Sequence, residues 1–285
     1  IPGIEEPFRF LKELLESCGC VTVSETSGVP FDRLDTFVGP EGAFSMMFEF
    51  SYTNIDVVNE DYFKKVDWTV KEYADLLHAS QTSLQNVGWS GPFLENHDQP
   101  RSVNKLIKDP AYFTEGAKAL AVMNLLLRGT PFIYQGEELG TANFHRTSVD
   151  QFDDVNAHSQ FDQALQHGFT PEQALQFLNE RSRDNARTPF AWTSERYGGF
   201  SEITPWIAMS CEHPTLNVRD ETNDPDSVLN FYKEVIAFRK THSEAFVKGV
   251  YTPVPIDDRV VAYERRSSDG KRFTVLVNLS ADAVE

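Results

Sequence analysis

Four short apolar runs in this sequence alternate with helical patterns, and three of the four end on carboxylates. CGCVTVSE (18–25), AFSMMFEFSY (43–52), SGPFLENHD (90–98) and TPFIYQGEE (130–138) read as strands. Residues 5–17 carry an apolar helical stripe at Phe8, Leu11, Leu14 and Leu15, and 69–86 and 114–128 continue the helical rhythm. Thr114 is the expected N-cap of the last of these. Strands alternating with helices predict a parallel α/β architecture. In a (β/α)8 barrel the carboxyl ends of the strands carry the active site, so Glu25, Asp98 and Glu137/Glu138 stand where chemistry is expected.

Residues 141–223 interrupt the rhythm with a polar segment, a short helix near 171–181 and a Trp-bearing loop containing Pro189, Pro205 and Pro214. A long insertion after a barrel strand is expected to cover the mouth of the barrel. A helix over 225–241 follows, with Asp224 as its expected cap and Pro225 in its first turn. From 247 the pattern changes to alternating strands with a hairpin turn at Ser268-Asp269-Gly270. A barrel needs about 250 residues, and only four strands precede this β region. The fold expected is therefore the carboxyl-terminal half of a (β/α)8 TIM barrel over 1–242, followed over 243–285 by the start of an antiparallel β domain.

Charge narrows the partners. The formal net charge is −17, the opposite of a phosphate-tracking surface, so neither nucleic acid nor an anionic membrane is an expected partner. No apolar run approaches the roughly 20 residues of a membrane span. Cys18, Cys20 and Cys211 make an odd count. Cys18 and Cys20, flanking Gly19, are expected as buried thiols on one face of a strand in a reducing compartment. With no basic start before an apolar stretch, a cytoplasmic location is expected. No Cys/His spacing suits zinc, and the Asn278-Leu279-Ser280 sequon is expected inside an apolar strand.

Five segments, in order, resemble glycoside hydrolase family 13 and most of all its oligo-1,6-glucosidase and α-glucosidase branch. VTVSETSGV (21–29) is similar to the fifth-strand motif, MMFEFSY (46–52) to the sixth, GPFLENHDQPRSVN (91–104) to the seventh and GTPFIYQGEELG (129–140) to the eighth. RSRDNARTPFAW (181–192) is similar to a loop that follows them. The resemblance implies that Glu25 is the general acid/base and Asp98 a carboxylate that stabilises the transition state. It implies that His97 binds a hydroxyl and Arg183 the terminal glucose, and that Arg187 and Phe50 touch substrate. Other readings stand beside these. Arg183 could serve a structural ion pair with Asp184 or Glu180, Phe50 could be plain core, and Glu137 and Glu138 read better as structural than catalytic.

The physical chemistry agrees with the implied roles. Retaining cleavage pairs a nucleophilic carboxylate with a protonated general acid about 5–5.5 Å away. The acid keeps its proton near neutral pH by burial or by neighbouring negative charge. Arginine offers a fixed fork of donors for paired acceptors.

Three departures from the family pattern matter. Its nucleophile sits in a Gly-Phe-Arg-x-Asp-like motif before the acid/base residue, and nothing of that form precedes Glu25. Arg33-Leu34-Asp35 lies in a loop after Pro30 and is no substitute. The chain alone is therefore expected to lack the retaining mechanism. Ser24 stands for the usual glycine. Asn156, a candidate contact to the second sugar, stands where α-1,6-specific members have a glutamate. The Arg-Leu-Asp-Arg-Asp segment of sucrose isomerases is absent after Arg101.

The expected activity is that of a retaining exo-acting α-glucosidase on short α-glucoside oligosaccharides or sucrose. The alternatives are a transglucosylase using the same site and an inactive sugar-binding member. No cofactor or metal is expected within these residues. The family's calcium loops fall mostly in its amino-terminal half.

Overall fold

The computed structural model describes residues 5–284; the remaining residues of the 1–242 and 243–285 division lie outside them. Helix α1 (Glu5–Cys18) ends at Gly19, whose φ of +60° turns the chain toward β1 (Val23–Thr26). This corrects one sequence expectation. Cys18 closes a helix instead of starting a strand, and Cys18, Cys20 and Cys211 are all exposed. A 3-10 turn (Phe31–Thr36) leads to β2 (Met46–Glu49), which pairs in parallel with β1, Glu25 opposite Phe48.

The next two apolar runs continue this layer without forming full strands. Met47 N–H donates to Trp89 O (3.1 Å) and Gly91 N–H to Met47 O (2.9 Å), so 89–91 lies parallel to β2. Thr130 and Phe132 N–H donate to Ser90 O and Pro92 O, both at 2.9 Å. The return bond would come from residue 92, a proline with no N–H, so the ladder there is one-sided. Phe48 meets Phe93 and Phe132 edge-on, at centroid distances of 5.4 and 4.7 Å. Gly91 permits this, because a Cβ there would stand 3.2 Å from the Phe48 ring.

Helix α2 (Val70–Val87) follows β2 and opens on a capping box of Thr69 and Glu72. Helix α3 (Ser102–Leu106) and α4 (Phe113–Leu125) follow the third run. Thr114 does not cap α4. Asp109 accepts from Ala111 N–H and starts a 3-10 turn at Pro110 that runs straight into the helix. The insertion is more ordered than its composition suggests. It holds α5 (Val155–Gln166), capped by Asp154, then α6 (Pro171–Arg181) and α7 (Val218–Asn223). Asp224 ends α7, and Ser227 caps α8 (Val228–Thr241) in its place. A short α9 (Ser243–Phe246) leads to the antiparallel sheet of β3 (Val250–Pro253), β4 (Val260–Arg266) and β5 (Arg272–Asn278). The β4–β5 hairpin turns at Gly270 (φ +86°), and Asn278 of the sequon is exposed at the strand's end.

One apolar core joins the helices to this sheet. Leu77 of α2, Leu120 of α4, Tyr232 of α8 and Val261, Tyr263 and Val275 of the sheet belong to it. Two buried arginines tie the end of α4 into it. Arg239 donates to Leu125 O, Leu127 O and Gly129 O, and Arg265 to Leu126 O, Phe246 O and Gly249 O, at 2.6–2.9 Å. They occupy carbonyls that a helix leaves unpaired at its end and in the turn beyond it. Among the described residues, no helix is long and apolar enough to cross a membrane.

Two predictions about stability follow from these contacts. In the complete protein Arg265→Met should lower unfolding free energy in urea by about 3 kcal/mol, because buried carbonyls lose their donors. A loss below about 1 kcal/mol would mean that water replaces the guanidinium. Glu221 gives a pH dependence. Burial raises its carboxyl from 4.5 to about 7; the Leu229 N–H bond opposes the rise, and nearby Asp224 and Glu138 add to it. The folded state therefore binds the extra proton between those two values, and this contribution fades as pH rises toward 7. Glu221→Gln should gain thermal midpoint relative to the parent between pH 5 and pH 8. A constant difference across that range would refute the assignment.

Candidate active site

The parallel layer places its functional groups at one end, because every segment runs in the same direction. Glu25 is in β1's last turn of pleat, Phe50 follows β2, and His97 and Asp98 follow the third segment. Asp98 sits in a turn held by Asn96, whose Oδ1 accepts Asp98 N–H (2.8 Å) and whose carbonyl accepts Gln99 N–H (3.2 Å).

Two arginines converge on Asp98. Its Oδ1 accepts from Arg183 Nη1 (3.2 Å) and Arg187 Nη2 (2.9 Å), and its Oδ2 lies 3.3 Å from His97 Nε2. Arg187 Nε also donates to His97 O (2.9 Å). Arg183 forks onto a second carboxylate, with Nε to Asp154 Oδ2 at 2.6 Å and Nη2 to Asp154 Oδ1 at 2.8 Å. Burial alone would raise the Asp154 carboxyl, but the bond from Arg183, the Asn156 N–H and the nearby Arg187 outweigh it and hold it below the usual range. The contribution of that pairing is present above the usual carboxylate pKa and is lost only as pH falls into acid. The bonds to Asp154 in turn raise the Arg183 guanidinium, against the opposing effect of burial, and nearby Asp98 adds to the rise. Two guanidiniums and two carboxylates form a balanced quartet.

Asp154 escaped the sequence reading, which offered Asp184 or Glu180 as the ion-pair partner of Arg183. Its signal was present as Phe152-Asp153-Asp154 before a helical stretch, an N-cap pattern. Asp154 does cap α5, accepting Asn156 N–H at 3.0 Å. Asp184 instead accepts Asp153 and Asp154 N–H and so holds that cap in place. Asn156 is one residue past the start of α5 and donates to Tyr62 Oη at 3.1 Å.

Arg101 fixes the loop that carries the two arginines. Almost fully buried, it donates to Glu95 Oε2 (3.1 Å), Gln135 O (2.9 Å), Asn185 O (3.2 Å) and Ala186 O (3.4 Å). Glu137 is buried nearby and accepts from Tyr232 Oη at 2.9 Å. Burial first, and Glu95 second, push its carboxyl well above the usual range. Its hydrogen bond and burial fit a structural role.

The other candidates stand apart from the quartet. Phe50 is 7% exposed and packs edge-on against Phe93 at 5.1 Å. Glu25 is exposed and lines an open groove of about 780 Å³ with Ser24, Arg33, Phe37 and Phe44. Among the described residues no hydrogen bond or ion pair joins it to Asp98. Ser24 is buried with its hydroxyl unpartnered. No group of three or more His, Cys, Asp or Glu among the described residues could hold a metal ion.

Known proteins share this arrangement of elements. The Alpha-amylase family model, described as alpha amylase, catalytic domain, matches residues 6–249. Probable oligo-1,6-glucosidase 3 of Bacillus subtilis (strain 168) is 37% identical over 257 residues, 87% of this chain and 44% of that protein. Oligo-1,6-glucosidase of Halalkalibacterium halodurans is 31% identical, over 97% of this chain and 50% of that protein. Two solved structures superpose over 99% of this chain and 51% of theirs, each at 31% identity. They are trehalulose synthase MutB from Pseudomonas mesoacidophila MX-45 (TM-score 0.90) and isomaltulose synthase from Erwinia rhapontici NX5 (TM-score 0.92). The chain spans about half the length of the curated relatives it matches.

The quartet makes a measurable claim. In the complete protein, Arg183→Ala, Asp154→Ala and the double variant should show a coupling energy of about 1–3 kcal/mol in urea unfolding. Additive losses would show that the two side chains act independently.

Proposed function

Because the chain belongs to the Alpha-amylase catalytic-domain family, we propose that it is the carboxyl-terminal half of a retaining, exo-acting α-glucosidase barrel. The substrates would be short α-glucosides. Residues 1–242 would form the barrel portion, with 141–223 over its mouth, and 243–285 would begin the carboxyl-terminal β domain. The observation that carries the reading is the grip of Arg183 and Arg187 on Asp98, at the same end of the layer as Glu25. Glu25 lies opposite Phe48 and Met47 opposite Ser90, so two strand spacings, about 10 Å, separate β1 from the segment that leads to Asp98.

In this reading Glu25 gives its proton to the glycosidic oxygen as the bond to the anomeric carbon breaks. Asp98 and His97 hold hydroxyls of the terminal glucose, and Arg183 and Arg187 keep Asp98 in place and add donors of their own. Phe50 offers a ring face and Asn156 a neutral amide toward the second sugar. The nucleophilic carboxylate, and any calcium site, would come from sequence preceding Ile1. A cytoplasmic location belongs to the same proposal.

Transglucosylation is the second reading, and one observation favours it. The superposed structures include sucrose isomerases, and a variant of the isomaltulose synthase was solved with sucrose, its natural substrate. Water and a sugar hydroxyl compete for one glycosyl-enzyme, so the two activities differ in the acceptor alone.

Glu25→Gln in the complete enzyme tests the acid role. Turnover of maltose or isomaltose should fall about 10²–10⁴-fold. The loss should be much smaller on an aryl glucoside, whose leaving group needs little protonation. Equal losses on both would reduce Glu25 to a binding or structural residue. Residues 1–285 expressed alone should be inactive on maltose, isomaltose and sucrose, and co-expression with the preceding half should restore activity. Robust activity of the purified chain alone would overturn the fragment reading.

A further inference from the structure

Two turns bear candidate sugar contacts: the one after β2, with Phe50, and the one after residues 89–94, with Asp98. We propose that Lys105 is a positioning residue that fixes the spacing between these turns and so sets Asp98 relative to Phe50. The proposal rests on the α-glucosidase reading and adds to it a residue outside the sugar contacts.

The bonds run without a gap from one turn to the other. Lys105 Nζ donates to Thr53 O and to Gln99 Oε1, each at 2.7 Å. Gln99 Nε2 donates to Asn54 Oδ1 at 2.8 Å. On one side, Thr53 N–H and Asn54 N–H both donate to Phe50 O at 3.1 Å, and Thr53 Oγ1 does the same. On the other side, Gln99 directly follows Asp98, and Asn96 holds both of their N–H groups. Lys105 and Gln99 together make two bonds to the turn after β2, and a third bond ties them to each other.

The lysine works from a fixed base. It lies on α3, whose Val103 and Leu106 are in the core and whose Ser102 donates to Glu95. The acidic group nearest in kind, Asp56, already takes both of its bonds from Arg181 Nη1 at 2.8 and 2.7 Å. Among the described residues Lys105 has no ion pair. Its donors go to two neutral oxygens, one from each turn, which is the geometry of a bridge between them. Burial pulls its ammonium down to about 7, with Arg181 also lowering it and Asp56 and Glu95 opposing. The neutral amine retains two hydrogens, enough for both acceptors, so the bridge survives on either side of that value.

A misplacement near 1 Å at a reacting centre costs up to about 100-fold in rate. In the complete enzyme, Lys105→Met and Gln99→Leu should each lower kcat about 10-fold on maltose or isomaltose, with KM within about threefold, assayed well below each variant's melting point. The double variant should be no slower than the worse single, since both break one bridge. Lys105→Arg, which can still reach two acceptors, should recover at least about half of the lost kcat. Should Lys105→Met fail to fold, Gln99→Leu and Asn54→Ala carry the same test. A lowered melting point with kcat within about twofold of the parent, or multiplying losses in the double variant, would overturn the proposal. If the parent enzyme turns over no α-glucoside, the functional reading fails separately. Crystal structures of parent and Lys105→Met then decide: a shift of about 1 Å in the Asp98 turn relative to Phe50 supports the bridge, and an unmoved turn overturns it.

Discussion

The guanidinium of Arg101 is where three separate pieces of chain are referred to one another. Its four bonds reach the end of the third segment through Glu95, the end of the fourth through Gln135 O, and the loop bearing Arg183 and Arg187 through Asn185 O and Ala186 O. Tyr134 supports the same arrangement, with its ring 5.5 Å from the guanidinium carbon and its hydroxyl donating to Ala186 O. A planar group with five donors can satisfy such diverging acceptors, whereas an ammonium would leave some of them buried and bare. The loop it orders then delivers two more arginines to Asp98. Order thus passes outward, from a buried charge to a half-exposed one.

That outward passage also explains how the site tolerates so much charge. Several buried or half-buried charges at this end of the layer are paired: Arg101 with Glu95, Arg183 with Asp154 and Asp98, Arg181 with Asp56. Glu137, whose hydrogen-bond partners are a tyrosine hydroxyl and a backbone N–H, has its carboxyl raised by burial and by nearby Glu95. An isolated ion in such surroundings would be costly, and pairing offsets that cost. The result is a polar end that needs no rearrangement to present Asp98.

The parts of this arrangement that were legible in the sequence are those carried by local pattern. The helices α2, α4, α6 and α8 follow from apolar periodicity, and the β4–β5 hairpin from its turn residues. Caps were less legible, because several acceptable residues lie close together. Asp109 and Pro110 pre-empt Thr114, and Ser227 takes the role that Asp224 could have filled. Cys18 to Cys20 misled because a helix end and a strand start both tolerate Cys-Gly-Cys, and the left-handed φ at Gly19 chose the former. The partners of Arg183 and Arg101 were out of reach for a different reason. Apart from Glu95, six residues before Arg101, they lie 29 to 85 residues away, across a tertiary packing that periodicity does not encode.

Glu25 and Asp98 differ in their surroundings for a reason that the edges of the layer make plain. Asp98 lies over inner segments that have neighbours on both sides, and its partners come from the insertion. Glu25 lies on β1, an outer strand, and its groove is open. Both outer segments of the layer expose apolar side chains, Val21 at 74% and Val23 at 36% on one side, Phe132 at 36% and Ile133 at 38% on the other. Parallel strands are normally covered on both faces and rarely leave a bare apolar edge, because unpaired backbone and exposed side chains invite association. Apolar exposure at these two flanks therefore marks surfaces suited to further strands, consistent with a chain that spans half the length of its relatives. Covering β1 would bury the wall on which Glu25 stands. The open surroundings of Glu25 thus follow from its place on β1, whose outer flank is uncovered among the described residues.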